Sequence, residues 1–340
     1  MNIKQSVLAA AVTAALAMGV AGQATASVYA GSSLNLQGLS VVITDGGLPA
    51  PQPVTSFQFT ATNTATLNGV SAIVGTGGNG LLSGNCGGTI SSNNCGTAPV
   101  LDPGAANVGA PIRGNNDFSL WGVSANQYSN SDSVIYQAEL TNFLPTHIQQ
   151  IAESELQGNG SANSNAEITS NTGFTMTFTL AGSGGLKLDF EADPYLRTVI
   201  NDLLFNNGNA QANINASFSL TSLSGDSVTW SPQGTAANDC SVDAGLAGVT
   251  CTEDAVGGDT QDLNRNLSVS ANPNDVAHSL GAGFTDFGIN ILGLSSGTYT
   301  LAFNALTSNS IRRVPEPGML ALLGIGLLGM VAAGRRKLRG

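Results

Sequence analysis

The run Phe174-Thr-Met-Thr-Phe-Thr-Leu180 alternates apolar side chains with threonine at every second position. A period of two places the apolar residues on one face of an extended strand and the hydroxyls on the other. β-branched and aromatic residues favour that pleated, half-buried setting. Moving outward, the same signal recurs at Leu34 to Ile43, Phe57 to Leu67, Ser133 to Leu140, Leu186 to Phe190, Ile214 to Leu223, Val228 to Trp230, Leu267 to Val269, Phe287 to Leu294 and Tyr299 to Phe303. Gly, Asn or Pro clusters separate these runs and supply turns. Short strands at that spacing predict a mainly β protein, an antiparallel β-sandwich-like ectodomain.

Two segments break the alternation and predict short helices. Pro145 opens the first, with Ile148, Ile151, Ala152 and Leu156 at spacings of three and four and Gly158 as a C-cap. Asp193 caps the second, Pro194 occupies its first position, Leu196, Val199, Ile200, Leu203 and Leu204 form a stripe, and Asn207-Gly208 ends it. Residues 75–116, rich in Gly, Asn and Cys, read as a loop excursion. No fixed-period repeat is present, which argues against a solenoid or propeller. The alternating Thr60, Thr62, Thr64 and Thr66 read as the wet face of an ordinary strand rather than an ice-ordering array.

Both ends read as addressing segments. Lys4, the apolar run Val7 to Val20 and Ala24-Thr25-Ala26 form a signal peptide, residues 1–26, cut by signal peptidase after passage through the Sec machinery. Residues 27–311 are then the ectodomain and 312–340 a separate C-terminal segment. From Ser27 to Val314 the chain has six basic against 21 acidic residues, a formal charge of −15. Such a surface repels nucleic acid and anionic membrane. Charged residues are only 10% of the chain, and polarity comes from Asn, Ser, Thr and 43 glycines. That composition suits an extracellular β protein with long loops.

In an exported chain the four cysteines read as two local disulfides, Cys86 with Cys95 and Cys240 with Cys251. Only two histidines are present, His147 and His278, and no C-x-x-C, so zinc is not expected. Calcium is the one cofactor considered. Asp239, Asp243, Glu253, Asp254, Asp259 and Asp262 cluster around the second cysteine pair and offer the oxygen ligands calcium takes, without EF-hand spacing. Asp189, Glu191 and Asp193 alternate and share one face if extended.

Catalytic motifs are weak. Gly75-Thr-Gly77-Gly-Asn-Gly80 matches a dinucleotide fingerprint, but no helix pattern follows it. Gly293-Leu-Ser295-Ser-Gly297 matches a nucleophile elbow, but a strand follows, so a hairpin turn is expected. Paired carboxylates would suit a glycosidase, yet aromatic content is 6%, thin for a sugar-cleaving cleft. The expectation is a protein without enzymatic activity.

The C-terminal segment is the most specific feature. Val314-Pro315-Glu316-Pro317 is followed by 17 uncharged residues, Gly318 to Gly334, and then by Arg335, Arg336, Lys337 and Arg339. As a helix, 318–334 would span ~26 Å, close to a bilayer's hydrocarbon thickness. The basic cluster at 335–339 acts as a stop-transfer signal. The two prolines hold the preceding peptide extended and exposed, the form a membrane-embedded protease accepts.

This arrangement resembles the PEP-CTERM sorting signal of Gram-negative bacteria. The resemblance maps the sorting motif onto Pro315, Glu316 and Pro317, the membrane span onto 318–334 and the basic end onto Arg335, Arg336, Lys337 and Arg339. It implies an exosortase-type protease as partner, delivery to the cell surface or matrix, and an exopolysaccharide or biofilm setting. It covers about 26 of 340 residues and says nothing of the body. A polysaccharide- or calcium-binding module, or less simply a secreted hydrolase, are the alternatives for that body.

Overall fold

The computed structural model describes residues 27–46, 48–49, 51–52, 57–80, 86–87, 102–136, 147–158, 160–168, 174–201, 208–233, 239–253, 263–270, 274–281 and 283–313. The predicted signal peptide, the membrane span, the sorting motif and Cys95 lie outside them. In chain order the strands are β1 (Ser27–Asp45), β2 (Leu48–Pro49), β3 (Pro51–Gln52), β4 (Phe57–Leu67), β5 (Val70–Gly80), β6 (Cys86–Gly87), β7 (Ala106–Ala110), β8 (Gln127–Tyr136), β9 (His147–Leu156) and β10 (Gly160–Ile168). They continue as β11 (Phe174–Leu180), β12 (Gly184–Asn201), β13 (Gly208–Ser222), β14 (Ser227–Trp230), β15 (Cys240–Val242), β16 (Thr250–Glu253), β17 (Arg265–Val269), β18 (Asn274–Ser279), β19 (Thr285–Leu294) and β20 (Gly297–Arg313).

Two large antiparallel sheets face each other. The first runs β16-β19-β12-β1-β9-β8-β7, with β2 on β1 and β18 on β12. In the second, β4 carries β5 on one side; β10 and β11 lie end to end between β4 and β20. Next come β13, then β17 and β14 end to end, then β15. Long strands form the spines, and short ones share their flanks. Thr285 ends its pairing at Ala192 and Ser279 begins at Tyr195, so Pro194 sits at the gap between β19 and β18. A residue without an N–H is tolerated where one neighbouring strand stops and the next has not begun.

The inner faces differ along the width of the sandwich. Around β12, β19, β13 and β14 the core is aromatic: Phe190, Phe218, Trp230, Phe287 and Phe303 sit with ring centroids 4.7–5.7 Å apart. Around β8, β9 and β4 it is small and polar. Ser131 Oγ donates to Thr64 O at 2.9 Å, Ser133 Oγ to Asn63 Oδ1 at 2.7 Å, and Gln150 Nε2 to Ala305 O at 3.1 Å. Short side chains let the sheets approach closely enough for one to hydrogen-bond the backbone of the other, and buried polar groups must find such partners.

Residues 111–126, between β7 and β8, form a strap over the outer face of β1, β8 and β9. Leu120 reaches to within 2.8 Å of where a side chain at Gly31 would begin. β9 is therefore covered on both faces, with Ile148, Ala152 and Leu156 toward the sandwich and Ile151, Glu153 and Glu155 away from it, all buried.

Over their described residues both predicted helices are corrected to strands; Pro145, Leu203, Leu204 and Asn207 lie outside the described residues. Residues 147–156 are β9 and 184–201 are β12, and no described residue is helical. A strand buried on both faces loses its period of two. The apolar residues it then shows, Ile148, Ile151, Ala152 and Leu156, happen to repeat at helical spacing. Strands are also longer than expected: β1 has 19 residues and β20 has 17. The 75–116 excursion contains part of β5, then β6 and β7, and the first residues of the strap. Gly293 to Gly297 is not a hairpin, because β19 and β20 belong to different sheets and the segment crosses between them. His278 lies on β18, paired with Leu196.

Candidate functional site

The last strand leads directly into the C-terminal segment. β20 is paired with β13 from Tyr299 to Arg313 and with β10 from Ala305 to Arg313. Its final rung is Gly160–Arg313–Gly208. Ile311 is buried, and the Arg313 guanidinium donates to the Gln157 carbonyl. At Gly208 an added Cβ would meet Val28 Cγ2 at 2.8 Å, so the two sheets close against each other here. The strand is thus held on both sides up to its last residue. Val314-Pro315-Glu316-Pro317 begins at once after it.

A second cluster lies beneath the strap and was not anticipated from the sequence. Arg113, 2% exposed, donates from Nη2 to Glu153 Oε2 at 2.5 Å and from Nε to Asn130 Oδ1 at 2.8 Å. Its guanidinium lies 4.4 Å from the Trp121 ring centroid. Glu153 Oε1 accepts from Tyr29 Oη at 2.8 Å, Trp121 N at 2.8 Å and Gly122 N at 3.0 Å. Burial pushes the Glu153 carboxyl up, and Arg113 with these donors pulls it back. Glu155 accepts from the backbone N–H groups of Ser124, Ala125 and Asn126 at 3.0–3.2 Å. Burial raises Asp132 from 3.8 to about 6, opposed by donors from Asn116 N and Ser133 N. Every carboxylate here is taken up by the strap's own backbone, so the arrangement clamps the strap rather than presenting a reactive group.

The third feature is the outer face of the second sheet. Cross-strand rows read Thr66–Asn163–Ser310–Gln211–Ser268 and Thr64–Asn165–Ser308–Asn213–Asn266. A shallow groove of about 230 Å³ runs among Gln211, Asn213, Asn266, Ser308, Asn309 and Ser310. Amides and hydroxyls of this kind offer both donors and acceptors.

The described members of the expected acidic cluster are each engaged within the fold. Asp243 accepts from Ser227 N at 2.8 Å, Asp239 from Gln233 N at 2.9 Å and Glu253 from Trp230 Nε1 at 2.6 Å. Asp254, Asp259 and Asp262 lie outside the described residues. Among the described residues, no group of three or more His, Cys, Asp or Glu is arranged to hold a metal ion. Asp189 and Glu191 do project from one face of β12, where Lys187 lies 3.1 Å from Asp189 and Gln37 donates to Glu191 at 2.7 Å. Cys240 and Cys251 form the expected disulfide and tie β15 of the second sheet to β16 of the first. The pairing of Cys86 falls outside the described residues with Cys95.

No curated protein matches this chain. The PEP-CTERM protein-sorting motif family matches residues 313–337. That span holds Pro315, Glu316 and Pro317, the apolar run, and Arg335, Arg336 and Lys337, with Arg339 just beyond. The match begins at Arg313, the last residue of β20 as described. From the last residue of its central strand onward, the chain carries a PEP-CTERM protein-sorting motif.

Proposed function

We propose that this chain is the precursor of a non-enzymatic surface or matrix protein, exported by Sec, held by residues 318–334 and cut at Pro315-Glu316-Pro317. The motif implies an exosortase-targeted surface protein and an exosortase-type processing partner. The observation that carries the proposal is the abutment of that motif on β20. The described pairing of the body reaches Arg313, so a cut at the P-E-P removes the tail and leaves each described strand intact. The prolines keep the peptide extended and free of ladder bonds, as a protease cleft requires. Basic residues at 335–339 hold the tail's end on the cytoplasmic side while this happens. The setting is the exopolysaccharide-rich surface of a Gram-negative cell.

The test is Glu316→Ala followed by membrane fractionation in the producing cell. The proposal expects the parent chain to leave the membrane fraction and the variant to stay in it. Equal release of both would remove the processing step from the account.

The groove on the second sheet favours one further role for the same body, contact with a neutral polysaccharide. Its six lining residues are uncharged amides and hydroxyls, suited to sugar hydroxyl groups. Replacing Gln211 and Asn213 by Ala should lower retention on an immobilised neutral polysaccharide. Unchanged retention would remove this role and leave the sorting account intact.

A further inference from the structure

Which end of the sandwich faces the membrane follows from where β20 stops. Only four residues separate Arg313 from Gly318, so an extended chain puts the final rung within about 18 Å of the membrane span. The sandwich is long by comparison: 19 residues in β1 span ~60 Å at the rise of a strand. The end that holds Ser27, Gln157, Asn201, Gly208 and Arg313 must therefore lie against the bilayer while the tail is inserted. The opposite end, with Gly46, Leu223 and Gly297, must project away.

That membrane-side end has its own chemistry. Three of the exposed large apolar residues lie toward that end: Val70 at 62%, the first residue of β5, Ile112 at 73%, just after β7, and Val123 at 39% in the strap. Arg312 is exposed at the same end, and Arg313 closes the rung. Among the described acidic groups near this end, Asp275 is paired with Arg197 at 2.8 Å and Glu155 is buried under the strap's N–H groups. Asp45, Asp226 and Asp243 lie toward the far end, with no described basic residue nearer than Lys187 along the strands. A chain that is strongly acidic overall thus presents exposed apolar side chains and the Arg312 guanidinium at the end that meets the bilayer.

We infer that this end is a docking surface for anionic lipid head groups. Val70 and Ile112 enter the interface, and Arg312 meets the head-group charge. The inference rests on the reading of 318–334 as a membrane anchor. A charge in contact with such a surface shifts docking by about five-fold. The screening length of about 8–10 Å confines that attraction to the near end.

The experiment uses the full chain in vesicles of mixed phosphatidylglycerol and phosphatidylcholine. A polarity-sensitive dye is attached at Val70→Cys, Ile112→Cys or Leu223→Cys in turn, with the unsubstituted chain as labelling blank. Flotation reads the anchor, and a quencher carried on the lipid reads docking. The expected result is quenching at 70 and 112 several-fold above that at 223, reduced about five-fold or more by Arg312→Glu. Floating protein with equal, weak quenching at all three positions would overturn the docking surface and spare the anchor. Equal quenching in pure phosphatidylcholine would overturn the choice of anionic lipid. Protein that does not float would remove the anchor, and the docking surface with it.

Discussion

Arg113 and Glu153 show what a single pair of residues does in this fold. Both side chains are fully buried, and each is met by several further groups, so neither charge is left without compensation. Removing one partner leaves the other charged and desolvated, which costs about 3–5 kcal/mol. Arg113→Ala should lower stability by that amount in chemical denaturation, and an exposed Arg265→Ala should change it little. Asp132 makes a second test. Burial holds its folded pKa near 6, above the 3.8 of an unburied carboxyl. A raised folded pKa means the native state binds the extra proton between about pH 4 and 6. Asp132's contribution is thus fully present below pH 4 and is lost as pH rises through 6, by on the order of 2–3 kcal/mol. Asp132→Asn should flatten that part of the stability profile, and a profile identical to the parent's would contradict the assignment. None of this cluster was legible in the sequence, because Arg113 and Glu153 lie 40 residues apart and nothing local marks 111–126 as a strap over β9.

At the scale of elements, legibility follows solvent exposure. β11 has one wet face, and Phe174 to Leu180 was read correctly to the residue. β9 is wrapped on both faces, and its buried glutamates sit where polar residues usually mark the wet side. A helix was the natural misreading. The threonines of β4 do lie on the outer face, as an ordinary strand's would. Gly109 illustrates how tightly β7 is seated. Its φ is +91°, and an added Cβ would strike the Gln127 carbonyl and come within 2.8 Å of Leu67. Gly109→Ala is expected to destabilise the protein through both backbone strain and overlap, by more than 1 kcal/mol. The Cys240–Cys251 disulfide closes a short loop and links the sheets. Replacing both cysteines by Ser should cost about 3 kcal/mol, read as a lower denaturation midpoint with native spectra retained.

The whole molecule is a long two-sheet sandwich whose central strand runs straight into a sorting signal. The tail was legible because its chemistry is local: two prolines, an apolar run and a basic cluster in order need no long-range contacts. The body's β class was legible from alternation, while the strand order and the strap depend on contacts between distant residues. The central claim is that the sorting motif is processed where the sandwich ends. Its most direct test is the intact mass of the protein recovered from its own cell, with Pro315, Glu316 and Pro317 either present or all replaced by Ala. The account predicts a species beginning at Ser27 and ending beyond Arg313 near the P-E-P, absent from the substituted chain. A full-length C-terminus in both, or a cut inside β20, would contradict it.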